Sequence, residues 1–349
     1  MPHVSFYIPR SLRLDYFQKL ALLWAGGFAV LAVILAYPLR QVFNGQWLLK
    51  QQVSWELFTP DPSSNAIFDG TLTIRFYAVS ILVGVLLGYW LALSIARRHY
   101  VASTVIDRLL IGMVIFGLIG ARLFFAAFNW ELYYNNPSQI FLINEGGLAF
   151  FGMLSCALLY LVLYCRRFKF SFYEFADILC TPLLVGQIFG RFGNFFNYES
   201  YGGPTSVFWK MYIPDSVNFY DSLNQKFFHP TFLYEIIPNV LLLVYILWHY
   251  SDLTRKRSGL AFATYAIGYG AIRFFTEFFR IDALKIILPQ SWQFEYANLS
   301  FDTLYASQIA ALILIAIGLY IYSVRSKVIY LKKTMVELRT RKKRKVMFN

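Results

Sequence analysis

Long apolar runs alternate with short polar segments along nearly the whole chain, and that alternation predicts a series of membrane-spanning helices. The first run covers about 20–37, behind Arg10, Arg13 and Lys19. It is long for the apolar core of a signal peptide and has no clean small-x-small cleavage site, so it reads as a membrane anchor. A polar stretch at about 40–69 follows, carrying Trp47, Trp55, Pro60, Pro62 and the turn cluster Ser63-Ser64-Asn65. Such a composition suits an external loop lying on the membrane interface. Further spans are expected at about 74–96, 109–128, 148–164, 175–189, 232–250, 260–279 and 304–322. Arg97, Arg98 and Arg108 flank one turn; Arg166, Arg167 and Lys169, then Arg255, Lys256 and Arg257, flank two others, and the tail from Arg339 to Lys345 is strongly basic. The stretch 129–145 between two spans holds acids and no basic residue. Every basic cluster thus falls on one side, which places both termini in the cytoplasm.

Composition narrows the class. Of 349 residues 58% are hydrophobic, 19% aromatic and only 15% charged, against about 25% charged in a soluble domain. The expected fold is an all-α polytopic membrane protein. A net charge of +13 raises nucleic-acid binding, but the basic residues cluster between spans and form no stripe interleaved with stacking side chains. Cys156, Cys165 and Cys180 lie in or beside apolar runs and offer neither a disulfide framework nor a metal spacing. His3, His99, His229 and His249 are scattered, so no metal site is indicated. The basic tail reads as a solvated, orienting segment, with an anionic-lipid contact as the alternative.

Two polar constellations stand out against this apolar background. The stretch Gly190-Arg191-Phe192-Gly193-Asn194-Phe195-Phe196-Asn197-Tyr198-Glu199, closed by Gly202 and Gly203, directly follows the fifth span. A charge beside hydrocarbon needs a partner or a watery cavity, so an Arg and a Glu here mark a functional site. The glycines fit a helix that breaks off to line it. In the seventh span Tyr269, Arg273, Glu277 and Arg280 are spaced four, four and three apart. At about 100° per residue they fall within roughly 80° of one another, which makes one polar stripe on one helix face. That stripe is read either as a structural ion-pair ladder or as the wall of a polar cavity.

The first constellation resembles the signature of the prolipoprotein diacylglyceryl transferases, G-R-x-G-N-F-x-N-x-E-x-x-G, at every fixed position from Gly190 to Gly202. The seventh span resembles that family's Y-G-x-x-R-F-x-x-E-F-x-R, here Tyr269, Gly270, Arg273, Phe274, Glu277, Phe278 and Arg280. Shorter likenesses occur in the same order: Arg75-Phe76-Tyr77, Gly120-Ala121-Arg122, His229-Pro230-Thr231-Phe232-Leu233-Tyr234-Glu235 and Ser307-Gln308. Together they imply a transferase-like core of seven helices over 72–325, an N-terminal extension over 1–71 with one extra anchor and its loop, and a basic tail over 326–349. One position departs from the pattern. Where the family carries G-G-x-x-x-H-G-G, or a tyrosine for the histidine, this chain reads Gly146-Gly147-Leu148-Ala149-Phe150-Phe151-Gly152-Met153. Phe151 has no proton to move and can supply only packing or an aromatic face.

The resemblance implies transfer of a diacylglyceryl group from phosphatidylglycerol to the lipobox cysteine of a prolipoprotein, with a thioether formed and glycerol phosphate released. It also implies a bacterial cytoplasmic membrane, a site facing outward, and entry of both lipid-linked substrates from the bilayer. No cofactor is implied, since no phosphate-cradling Gly-rich loop followed by Lys is present. The leaving phosphate calls for fixed positive charge, for which Arg191, Arg273 and Arg280 are the candidates, with Arg122 a fourth and Asn194 a neutral donor. The thiol needs a base, because a free thiol near neutral pH is only a few per cent thiolate. Glu199, Glu277 and His229 remain open for that role, Glu199 having the alternative task of holding Arg191. Tyr77, Tyr269, Asn197, Gly202 and Phe151 are assigned to the substrate-binding surface. Two other readings stay open: a non-catalytic homologue that binds anionic lipid or signal peptides, which Phe151 supports, and a solute transporter, against which the lack of an internal repeat counts.

Overall fold

The computed structural model describes residues 16–46, 52–56, 71–134, 136–141, 147–214, 226–250, 258–280, 285–287, 295–296, 299–300 and 303–347. Arg10, Arg13, Trp47, Pro60, Pro62, the Ser63-Ser64-Asn65 cluster, Gly146 and the basic cluster Arg255 to Arg257 lie outside the described residues. Among the described residues there are eight α-helices: α1 (Tyr16–Phe43), α2 (Phe76–Arg98), α3 (Ser103–Phe128), α4 (Phe150–Arg167), α5 (Phe172–Asn197), α6 (Thr231–His249), α7 (Leu260–Thr276) and α8 (Ala306–Met347). Seven of them contain a segment long and apolar enough to cross a membrane. The eighth, α7, has 17 residues and rises about 26 Å, and the 3-10 turn Glu277–Phe279 extends it. The protein is an all-α polytopic membrane protein.

Several expectations are corrected. The fifth span does not break at Phe189: α5 runs on to Asn197 with Gly190 and Gly193 inside it, because membrane helices accommodate glycine. The second span begins at Phe76, since 71–75 form a strand. That strand, β2 (Thr71–Arg75), pairs antiparallel with β1 (Gln52–Glu56) in the register Gln52↔Arg75 to Glu56↔Thr71, so part of the N-terminal loop is regular. The stretch after the signature also carries a short ladder, β3 (Met211–Tyr212) with β4 (Phe227–Phe228). The last helix continues far past 322, to Met347.

Two compact units divide the chain. The unit formed by 90–179 holds α3 and α4, which meet through small residues: Gly120 and Gly152 face each other, and Gly112 lies under the Tyr160 ring. Such contacts let helix backbones approach closely where no hydrophobic force separates helix from lipid. Phe150, Leu154, Leu158 and Ile115 are among the many large apolar side chains exposed on it, as a lipid-facing surface requires. The other unit, 1–89 with 180–349, pairs α7 with α8 in the same manner, Gly270 against Ile315 and Gly318 against Ile267. In it α1 packs on α6, and the Phe43 ring lies 6.4 Å from Phe195 and 6.2 Å from Phe232, which are themselves 4.7 Å apart. α1 is thereby fastened to α5 and α6.

Candidate active site

Arg191 and Asn194 are one turn apart on α5 and share a face. The Arg191 Nε donates to Glu235 Oε2 at 2.7 Å, and its Nη1 donates to Asn194 Oδ1 at 3.4 Å. From α7 the Arg273 Nη1 donates to the other carboxylate oxygen, Glu235 Oε1, at 2.7 Å. Arg273 Nη2 also stands 2.8 Å from Glu277 Oε2, an ion pair without hydrogen-bond alignment. Thr276 Oγ1 adds a 3.3 Å bond to Glu235 Oε1. Glu235 is 2% exposed. A carboxylate buried among membrane helices is tolerable only when paired and hydrogen-bonded, and here two guanidinium groups and a hydroxyl meet that demand. The four charges compensate one another, leaving a rigid polar cluster with Arg191 Nη2 free of partners among the described residues.

Glu199 is placed differently from the pairing with Arg191 held open above. The chain leaves α5 through Tyr198 at φ 52° and Ser200 at φ 54°, left-handed conformations uncommon for residues with a Cβ. They turn Glu199 back on the helix end, where its N–H donates to the Asn194 carbonyl at 3.0 Å. Its carboxylate accepts from Asn194 Nδ2 at 3.2 Å and Asn197 Nδ2 at 3.0 Å. Asn194 therefore links Arg191 to Glu199. The carboxylate that grips Arg191 is Glu235, a residue seen in the sequence only as the last letter of a short motif. A glutamate in the first two turns of an apolar span was the available signal.

The loop beyond is tied down by backbone. Gly202 N–H donates to the His229 carbonyl at 2.8 Å, Gly203 N–H to the Phe279 carbonyl at 3.0 Å, and His229 N–H to the Gly203 carbonyl at 3.1 Å. A Cβ at Gly202 would stand 2.5 Å from the Phe279 carbonyl oxygen and 2.7 Å from His229 Cβ. Gly202→Ala is expected to cost about 1–3 kcal/mol through overpacking, read as a lowered melting temperature together with weakened activity; an unchanged melt would show that the strands can part freely. Arg280 is not on the helical stripe with Tyr269, Arg273 and Glu277. The helix tightens into the 3-10 turn, and Arg280 is extended, at φ −82° and ψ 142°. It bridges to Gly202 and donates from Nη2 to Ser200 Oγ at 3.2 Å. Thr231 Oγ1 donates to the Ser200 carbonyl.

His229 sits in a separate polar chain. Trp209 Nε1 donates to Tyr234 Oη at 2.6 Å, and Tyr234 Oη is 2.9 Å from His229 Nδ1. Indole only donates, so Tyr234 Oη accepts from Trp209 and meets Nδ1 with its remaining lone pair or its own proton, according to the imidazole tautomer. Burial pushes the His229 pKa below its ordinary value.

Tyr77 lies against Gly193, where a Cβ would come within 2.7 Å of the ring. Phe76 and Phe196 are in ring contact at 5.6 Å. Tyr269 stacks on Tyr265 with centroids 5.6 Å apart, within electrostatic reach of Glu235, Arg273, Arg191 and Arg280. A polar pocket of about 280 Å³ is lined by Gln52, Arg75, Asn197 and Glu199. In the other unit, Arg122 is 5% exposed and its fork is spent on carbonyls: Nε to Ile140 at 2.8 Å, Nη2 to Gln139 at 2.7 Å and Nη1 to Gly147 at 3.3 Å. It also lies over the Tyr133 ring at 5.4 Å. Phe151, in the first turn of α4, is 51% exposed and meets the Phe150 ring edge-on at 6.0 Å.

Known proteins agree with the signature. Residues 65–324 match the family described as prolipoprotein diacylglyceryl transferase. A phosphatidylglycerol–prolipoprotein diacylglyceryl transferase of Parasynechococcus marenigrum is 40% identical over 221 residues, covering 62% of this chain and 80% of that protein. Enzymes of the same name from Thermosynechococcus vestitus and Fervidobacterium nodosum are 35% identical over 217 residues and 34% identical over 252. They cover 62% and 72% of this chain and 81% of each relative. With its signature folded onto the end of α5 and its match running through α2 to α8, the chain belongs to the prolipoprotein diacylglyceryl transferase family.

Proposed function

We propose that this protein transfers the diacylglyceryl group of phosphatidylglycerol to the lipobox cysteine thiol of prolipoproteins, forming a thioether and releasing glycerol phosphate. The observation that carries the reading is the convergence of Arg191, Asn194 and Glu199 of the signature with Arg273 and Glu277, locked by Glu235. Chemically a thiolate displaces a phosphate-bearing carbon, so negative charge develops on the departing phosphate. Preorganised guanidinium donors stabilise such charge without reorganising, and Arg191 and Arg273 are held for it by a carboxylate rather than by mobile solvent. Arg280, fastened to the signature loop, completes the positive side. Glu277 and Glu235 are engaged by arginine, whereas Glu199 is exposed and, among the described residues, takes amide donors alone, which favours it as the proton acceptor. The basic residues at the ends of α2 and α4 support a cytoplasmic-membrane enzyme with this site toward the outer face. Both substrates are lipid-linked and reach it from the bilayer.

The test is the purified protein in detergent with phosphatidylglycerol and a lipobox peptide. Mass spectrometry is expected to find a diacylglyceryl adduct on the peptide cysteine. No adduct from protein that still binds both substrates would favour the non-catalytic reading that Phe151 supports. Phe151→Tyr is expected to retain activity within about threefold, since a half-exposed ring in an aromatic pair accepts a hydroxyl at a cost of well under 1 kcal/mol; complete loss would reveal a strictly apolar requirement there.

A further inference from the structure

The transferase reading favours Glu199 as proton acceptor but names no group that stabilises the thiolate, and the position where the family pattern carries His or Tyr is Phe151. The pocket lined by Gln52, Arg75, Asn197 and Glu199 has the missing chemistry. At about 280 Å³ it lies below the roughly 300–1,000 Å³ of sites that enclose a whole drug-sized ligand. It has room for a cysteine side chain and an adjoining peptide unit, not for acyl chains. Its charged or titratable groups are Arg75, at the end of β2, and Glu199, on the signature loop; Gln52 and Asn197 are neutral. Among the described residues Arg75 has no carboxylate partner and Glu199 has no cation in contact, its carboxylate taking the amides of Asn194 and Asn197. A pocket that pairs such a guanidinium with such a carboxylate can hold an anion on one side and take a proton on the other.

Geometry fixes where these groups come from. Gln52 and Arg75 are the directly opposed terminal pair of the β1–β2 ladder, and opposed residues of an antiparallel pair project to one face. The ladder end is anchored to the signature helix by the Phe76–Phe196 contact and by Tyr77 over Gly193. β1 lies wholly outside the family match of 65–324, so the N-terminal extension itself supplies a wall of the pocket.

We infer that this pocket ionises the acceptor thiol: Glu199 takes the S–H proton, Arg75 holds the thiolate, and Gln52 of the extension hydrogen-bonds the acceptor backbone. The inference rests on the transferase reading and completes it. The thiolate lone pair forms the C–S bond to the glyceryl carbon. The C–O bond to phosphate breaks, its electron pair leaving with glycerol phosphate, which recovers the proton from Glu199.

Arg75→Gln separates this role from a structural one. The kcat/KM for the lipobox peptide is expected to fall about tenfold at neutral pH, because a neighbouring guanidinium lowers an acid's pKa by about one unit or more. The loss is expected to vanish toward high pH, where the peptide thiol is ionised without help. With a selenocysteine lipobox peptide, ionised already at neutral pH, variant and wild type should differ by less than about twofold. Gln52→Ala should raise KM for the peptide about tenfold, as one lost hydrogen bond to a bound substrate does, and leave KM for phosphatidylglycerol unchanged. A deficit in Arg75→Gln that is equal at all pH values and equal for the selenol peptide would overturn the inference, as would a Gln52→Ala effect confined to the lipid. An absence of adduct from the wild-type protein at every pH would instead remove the transferase reading itself.

Discussion

Glu235→Ala is expected to abolish diacylglyceryl transfer and to destabilise the protein in the membrane. Both oxygens of this buried carboxylate are taken by arginines, Arg191 at 2.7 Å and Arg273 at 2.7 Å. Removing one partner of a buried ion pair leaves charge uncompensated and costs about 3–5 kcal/mol; here two guanidinium groups lose their common anion. Each would turn toward another acceptor and leave the position proposed for it against the departing phosphate. Loss of one positioned donor alone is worth about 100- to 1,000-fold in rate, so a fall beyond 1,000-fold is anticipated when two are misplaced. Glu235→Gln is the companion variant. It keeps shape and one acceptor, so it should fold with a smaller drop in melting temperature while remaining at least about 100-fold impaired. Near-normal turnover in Glu235→Gln would show that the arginines do not depend on the carboxylate's charge.

Arg191→Lys should be almost as damaging, by about 100-fold or more in kcat/KM, although charge is conserved. The arginine uses Nε for Glu235 and Nη1 for Asn194, and the proposed reaction gives Nη2 to the ligand. An ammonium is one compact donor centre and cannot serve three directions fixed by a planar fork. If it kept Glu235, Asn194 would lose its donor and with it the orientation that sends Nδ2 to Glu199. Rates measured with saturating peptide and varied phosphatidylglycerol locate the defect. A rise in lipid KM alone, with kcat intact, would mean that Arg191 binds the lipid equally well before and during bond cleavage.

The membrane architecture was legible because water and hydrocarbon impose a coarse pattern: long apolar runs, basic turns, aromatic loops. The signature was legible for the opposite reason, since Arg191 and Glu199 violate that pattern. What escaped was set by distance and by local geometry. Nothing in the sequence joins Arg191 to Glu235, 44 positions apart, because only the packing of α5 on α6 brings them together. The helical stripe implied Arg280 beside Glu277, and a single 3-10 turn moved it to the signature loop. Gly190 and Gly193 suggest a break, yet α5 continues through both, since a helix in lipid cannot easily release its backbone bonds. The β1–β2 ladder is written in strict polar–apolar alternation, Gln52-Val53-Ser54-Trp55-Glu56 and Thr71-Leu72-Thr73-Ile74-Arg75, a period of two that is hard to see over five residues beside the long apolar runs of the spans.

The change of winding at the end of α7 has a consequence for the lipid around it. Its 17 residues reach about 26 Å, and the 3-10 turn Glu277–Phe279 adds about 6 Å, so together they match a typical hydrocarbon core of about 30 Å. A matched span asks the bilayer for no thinning. Arg273 and Glu277 then stand in about the last 10 Å of the span, near the polar edge of the bilayer, where a charge is less costly to keep than at its centre.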